Sequence, residues 1–214
     1  MVRSLDLPLR NLFFESAESN APLLIVMHGL GDRMESFRDF PDLLLGDRIH
    51  TLLLNAPDPY VVGTKWYDLD GRQEPGLKNS RRLLEEIAER LRSDSEDMPH
   101  VPKNRIVLSG FSQGAVVSLY TALRAQSEFA GVGALSGYFF GSTDEITDAG
   151  RRTPVFMAHG LFDPVLPFET SKDHAFMLQS AGVTLSFHEY PIDHSLCLEE
   201  MQAFKSFLET LFFN

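Results

Sequence analysis

Gly110-Phe111-Ser112-Gln113-Gly114 sets a serine between two glycines, directly after the apolar run Ile106-Val107-Leu108 and before Ala115-Val116-Val117. The pattern reads as a strand, a sharp turn and a helix, and a turn that tight has no room for side chains beside Ser112. Strained backbone of this kind lifts a hydroxyl out alone at the carboxyl edge of a sheet and aims the next residue's amide at the same spot. A serine hydroxyl is a poor nucleophile near neutral pH. It needs a histidine to take its proton and a carboxylate to hold that histidine in the right tautomer. The partners should follow in the order serine, acid, histidine.

Asp163 has the best address among the later acids, in His159-Gly160-Leu161-Phe162-Asp163-Pro164-Val165 just beyond an apolar strand. His194 lies in Tyr190-Pro191-Ile192-Asp193-His194-Ser195, the loop after the last strand, whereas His188 falls within a strand and His174 on a helix. Asp193 adjoins the histidine, but adjacent side chains rarely face each other, and capping of the following helix is the plainer role. Upstream, His28-Gly29-Leu30-Gly31-Asp32 follows another apolar strand with two glycines, the composition needed where backbone amides approach a ligand closely. His28, Asp32, His159 or His194 could each ligate a metal, yet no HExxH or comparable pair occurs. The glycine loop lacks the Lys-Ser/Thr ending of a phosphate cradle, and no cofactor or metal is expected.

The elements that must position these residues alternate along the chain. Apolar segments at 23–27, 49–55, 106–108, 129–136, 155–159 and 184–190 read as strands, with a further edge strand over 7–14. Helices are read at 41–45, 77–91, after the serine turn, at 170–179 with Gly182 as a stop signal, and at the carboxyl end through Leu198, Met201, Phe204, Leu208 and Leu211. The segment 93–102 reads as a polar connector. Such alternation implies an α/β fold, a mostly parallel central sheet with helices on both faces and a site beyond the strands' carboxyl ends. Every chemically suggestive residue falls at such an end.

Length and composition narrow the function. A chain of 214 residues fits one domain, 1–214, and can bury a core without disulfides. The formal charge of −11 repels phosphate backbones and anionic headgroups, so nucleic acid is not an expected partner, and no segment approaches the apolar length of a membrane span. A secretory leader is not visible at the start, and the single cysteine, Cys197, agrees with a reducing compartment; a cytoplasmic location is the expectation.

With His28-Gly29-Leu30-Gly31-Asp32, Trp66-Tyr67-Asp68, Gly110-Phe111-Ser112-Gln113-Gly114, His159-Gly160-x-x-Asp163-Pro164-Val165 and His194 in that order, the chain resembles the acyl-protein thioesterase, lysophospholipase and carboxylesterase family. The resemblance implies an α/β-hydrolase fold without a large cap, the nucleophile at Ser112, the acid at Asp163 and the base at His194. It also implies an oxyanion hole from the backbone amides of Leu30 and Gln113. Two departures are the Asp193 where the family often has glycine, and the bulky Tyr138-Phe139-Phe140 run.

Substrate contacts are expected from the loops. The long segment 56–75 carries Trp66, the only tryptophan, which with Val61, Val62 and Tyr67 could line an apolar groove or pack against the body. Tyr138, Phe139 and Phe162 are the other candidates. The short connection between Ser136 and Thr153 leaves no space for a large lid, so the cleft should be open on one side. The reading is a serine carboxylesterase acting on ester or thioester bonds of short-to-medium acyl groups. Its alternatives are a lysophospholipase or acyl-protein thioesterase acting on long chains, or a ligand-binding protein on a hydrolase scaffold. The expected partners are a small-molecule or lipid ester or an acylated protein, with the chain a monomer or homodimer.

Overall fold

The computed structural model describes residues 1–18, 20–92 and 99–213. Eight strands form one sheet: β1 (Val2–Arg3), β2 (Asn11–Phe14), β3 (Leu23–Met27), β4 (His50–Leu54), β7 (Ile106–Phe111), β8 (Gly131–Leu135), β9 (Val155–Gly160) and β10 (Leu185–Tyr190). Their spatial order is β1-β2-β4-β3-β7-β8-β9-β10, and β5 (Asp58–Pro59) and β6 (Thr64–Lys65) make a small separate hairpin. From β4 to β10 every pairing is parallel; β1 and β2 add an antiparallel edge.

Parallel strands covered on both faces need apolar side chains on both, which is why β3, β7, β8 and β9 carry so few polar residues. Alternate residues feed two cores. Ile25, Met27, Leu108, Val132 and Met157 face the core under α2 (Gln73–Arg92), α3 (Gln113–Ala122) and α5 (Phe168–Ser180). Leu24, Val26, Val107, Leu135 and Phe156 face the other core, closed by α1 (Phe40–Leu43) and α6 (Leu198–Phe213). A further helix, the short α4 (Asp148–Arg152), lies in the connection between β8 and β9. Helix α2 shows one apolar stripe, with Leu77, Leu84, Ile87 and Leu91 buried and ion pairs such as Lys78–Glu74 and Arg82–Glu86 outside. Helix α3 is buried all round, and small and apolar residues dominate its sequence, with Ser118 satisfied by the Gly114 carbonyl.

Several expectations are corrected. The first strand is not 7–14 and not the edge. Asn11 Oδ1 accepts the amide of Leu5 at 2.8 Å while its Nδ2 donates to the carbonyls of Leu5 and Leu9, so residues 5–9 close into a turn and only Asn11–Phe14 remain extended, with β1 outside them. The long loop 56–75 contains the β5–β6 hairpin and the start of α2, whose Pro75 sits in the first turn where its missing N–H costs nothing. Asp193 does not cap the last helix, which begins five residues later at Leu198. Of the connector 93–102, residues 93–98 lie outside the described residues.

Candidate active site

At the end of β7 the chain reverses into α3 through Ser112, whose φ of 56° is a left-handed value rare outside glycine. The flanking glycines are forced by contact. A Cβ on Gly110 would stand 2.3 Å from the carbonyl carbon of Gly114, and one on Gly114 would stand 2.2 Å from the oxygen of Met27. The strained residue is held by its amide, which donates to the carbonyl of Leu135 in β8 at 2.9 Å.

Ser112 Oγ lies 3.0 Å from His194 Nε2, and His194 Nδ1 lies 2.6 Å from Asp163 Oδ2. The loops that carry the acid and the base are zipped together: Leu161 N donates to the carbonyl of Tyr190 at 2.8 Å and Phe162 N to that of Ile192 at 3.0 Å. Gly160 permits the approach, since a Cβ there would be 2.4 Å from the oxygen of Asp193. Phe111 covers the His194 ring, with centroids 4.8 Å apart. Asp163 is buried, which opposes its charge, but the amides of Leu166 and Val165 together with His194 outweigh that and hold the carboxyl below its usual value. Asp163 therefore stays an acceptor near neutral pH, and the arrangement can move a proton from Ser112 to His194.

Beside Ser112, the amides of Leu30 and Gln113 have no acceptor among the described residues. The loop carrying Leu30 is pinned by His28, which is fully buried. Nδ1 of His28 donates to the carbonyl of Gly29 at 2.6 Å, and Nε2 accepts from the amide of Ala56 at 3.1 Å and the hydroxyl of Thr64 at 3.0 Å. Burial pushes the His28 pKa down, which keeps that tautomer neutral. Gly31 N donates to the carbonyl of Thr64 at 2.9 Å, so the β5–β6 hairpin braces the same loop. His28 is thus a structural residue, and among the described residues no group of His, Cys, Asp or Glu is placed to hold a metal.

Two cavities meet at Ser112. One of about 340 Å³ is lined by Leu30, Tyr67, Leu69, Tyr138, Val165 and Leu166 together with Ser112 and Gln113. The other, of about 320 Å³, lies against Gly29, Asp32, Phe111 and His194.

Of the expected substrate contacts, Tyr67 and Tyr138 line the first cavity. Trp66 and Phe139 do not reach it; they are 0% and 1% exposed. Trp66 is turned inward because its Nε1 donates to the carbonyl of His28 at 2.9 Å, its amide to Gln113 Oε1, and its own carbonyl accepts from Ser80. Phe139 packs beneath the Arg124 guanidinium, 5.1 Å from the ring centroid. Val61, Val62 and Phe162 point to solvent at 91%, 69% and 68% exposure. Leu69, Val165 and Leu166 were missed by sequence reasoning: Leu69 stands alone between Asp68 and Asp70, and Val165 and Leu166 sit in a loop already rich in apolar residues, where nothing marks which of them turn toward the site. The Gln113 side chain was also missed: besides Trp66 it holds the carbonyl of Tyr67 at 3.0 Å, so one residue offers its amide to the site and its side chain to the wall.

With this geometry in hand, the comparisons with known proteins agree. A family model described as phospholipase/carboxylesterase matches residues 12–212. The acyl-protein thioesterase 1 of Neurospora crassa is 31% identical over 215 residues, covering 86% of this chain and 84% of that protein. Among solved structures, esterase PE8 superposes with a TM-score of 0.80 at 22% identity, covering 93% of this chain and 97% of its own. Acyl-protein thioesterase 2 of Zea mays superposes with a TM-score of 0.78 at 19% identity, covering 94% and 98%. The last two likenesses speak to fold alone. Among the described residues, no helix is long and apolar enough to cross a membrane.

Proposed function

The chain belongs to the phospholipase/carboxylesterase family and hydrolyses ester or thioester bonds, and from that premise we propose that it works as a serine carboxylesterase on short-to-medium acyl groups. Ser112 Oγ attacks the acyl carbonyl carbon while His194 Nε2 takes the hydroxyl proton. Asp163 holds the Nδ1–H tautomer and stabilises the imidazolium that forms. The oxyanion is received by the amides of Leu30 and Gln113, donors already oriented before the charge develops. His194 then passes its proton to the departing alcohol or thiol, leaving an acyl-Ser112. A water deprotonated by His194 attacks that ester, and the carboxylic acid leaves as Ser112 recovers its proton. The observation that carries this reading is the unbroken path from Ser112 through His194 to Asp163, at 3.0 and 2.6 Å.

The chain-length preference follows from volume. The apolar cavity of about 340 Å³ is near the lower end of the roughly 300–1,000 Å³ typical of ligand pockets, which suits a short or medium acyl chain. A second reading, release of long acyl chains from lipids or proteins, is favoured by the exposed Val61, Val62, Leu69 and Phe162 on the loops around the opening. The test is hydrolysis of p-nitrophenyl esters from acetate to palmitate by wild type and Ser112→Ala in parallel. The mutant should lose on the order of a millionfold in kcat. An optimum near butyrate to octanoate supports the first reading and one at palmitate the second. A wild type inactive on every ester would leave a binding protein.

A further inference from the structure

Two histidines reach the carboxylate of Asp163. His194 Nδ1 is 2.6 Å from Oδ2, and His159 Nε2 is 3.2 Å from the same oxygen. His159 lies on β9 with its side chain wholly buried, and its Nε2 is also 2.8 Å from the carbonyl oxygen of Leu166. Both neighbours of Nε2 are acceptors, so Nε2 carries the hydrogen. Nδ1 is buried with no partner, and a proton there would make an unpaired donor in a dry site. Burial pushes the His159 pKa down against the opposing pull of the Leu166 carbonyl and Asp163, while His194 lowers it further; Asp163 and His194 are the charged groups that act on it. The ring is therefore a neutral imidazole, covered on the α5 side by Phe168 at a centroid distance of 6.3 Å.

Asp163 Oδ1 takes the amides of Val165 and Leu166 at 2.8 and 2.9 Å and Oδ2 takes His194, with the His159 ring edge lying against the same oxygen. We propose that His159 is a positioning residue for the acid: its Nε2–H holds the Leu166 carbonyl at 2.8 Å and so fixes the 163–166 turn, with the positive edge of the ring 3.2 Å from Asp163 Oδ2. It also withdraws part of the charge that Oδ2 presents to His194. This inference rests on the Ser112–His194–Asp163 reading above.

Three variants test it on p-nitrophenyl butyrate. His159→Phe keeps a ring beside Phe168 and removes the donor; His159→Leu does the same where the phenyl ring does not fit; His159→Gln restores an N–H. With the donor gone, kcat should fall on the order of tenfold with KM near wild type. The acid limb of kcat/KM should move to higher pH, because the undivided Asp163 charge now stabilises the His194 imidazolium. His159→Gln should recover most of both. Wild-type kcat with an unmoved limb in the donorless variants overturns the proposal. So does a fall in kcat with no shift of the limb and no recovery in His159→Gln, which marks packing alone. Ser112→Ala run alongside separates the two layers. Turnover surviving there removes the triad reading and this proposal with it, whereas an inactive Ser112→Ala beside unaltered His159 variants removes His159 only.

Discussion

The two walls that meet at Ser112 are built on different principles. On the acid and base side, contacts are directional: Asp163 is ringed by donors, the 160–162 and 190–193 loops exchange backbone hydrogen bonds, and Gly160 admits no side chain. On the opposite side, Leu30, Tyr67, Leu69 and Tyr138 define a space by their volume, which the side chains of Val165 and Leu166 close from the acid loop. Directional contacts have one correct geometry, so that wall should fail sharply when altered. A wall of packed apolar groups tolerates exchange of shape and should retune rather than fail.

The comparison breaks most visibly at Asp163. Asp163→Asn offers an N–H where His194 needs an acceptor, which favours the wrong tautomer; kcat should drop roughly ten-thousandfold at unchanged Tm, read by steady-state kinetics and thermal melting. If instead activity survives, the polar wall is not setting the tautomer. Gly160→Ala comes next. The new Cβ would stand 2.4 Å from the Asp193 oxygen and 2.5 Å from that of Ile192, so the base loop must retreat. A shift near 1 Å at the reacting groups costs on the order of a hundredfold in kcat. Activity near wild type in a folded Gly160→Ala protein would show that the zipped loops are not what aligns His194.

The apolar wall should answer differently. Tyr138 lines the cavity beside Tyr67, whose hydroxyl pKa is pushed up by burial and further by Tyr138. Tyr138→Ala should enlarge the space and raise kcat/KM for dodecanoyl relative to butyryl esters by roughly tenfold, with the pH profile unmoved. An equal loss on all chain lengths would mean that this wall, too, positions the chemistry.

The same division explains what sequence reasoning could reach. Ser112, Asp163 and His194 were legible because each sits at the carboxyl end of a strand, and an apolar run followed by a glycine-rich loop fixes that address without knowledge of the packing. The runs at 23–27 and 106–108 were legible because a strand covered on both faces admits few polar residues. The apolar wall was not. Whether Trp66 turns in or Val61 turns out depends on which polar partners the loop finds, here the side chains of Gln113 and Ser80 and the carbonyl of His28, and those partners are 14 to 47 residues away in sequence. Two-residue strands such as β1 and β5 carry no periodicity to read. His159 was visible as a residue type that might ligate a metal and as the first residue of the motif around Asp163; its place against Asp163 needed the geometry.

A second buried carboxylate sharpens the comparison with the smallest effect. Glu200, in the first turn of α6, is 1% exposed. Unlike Asp163 it has no ring of donors, so burial lifts its pKa to about 7, with the Cys197 backbone offsetting only part. A carboxyl whose pKa is higher folded than unfolded binds more protons in the folded state between about 4.5 and 7, so folding weakens as pH climbs through that window and the whole penalty applies above it. Glu200→Gln removes the charge that burial disfavours. It should therefore be more stable than wild type and melt higher above pH 7, by an amount on the order of 3 kcal/mol at most, with the gap closing toward pH 4.5. Turnover should not change. A Tm difference that is flat across that range would mean that Glu200 titrates like an exposed acid, and that donors are not what separates it from Asp163.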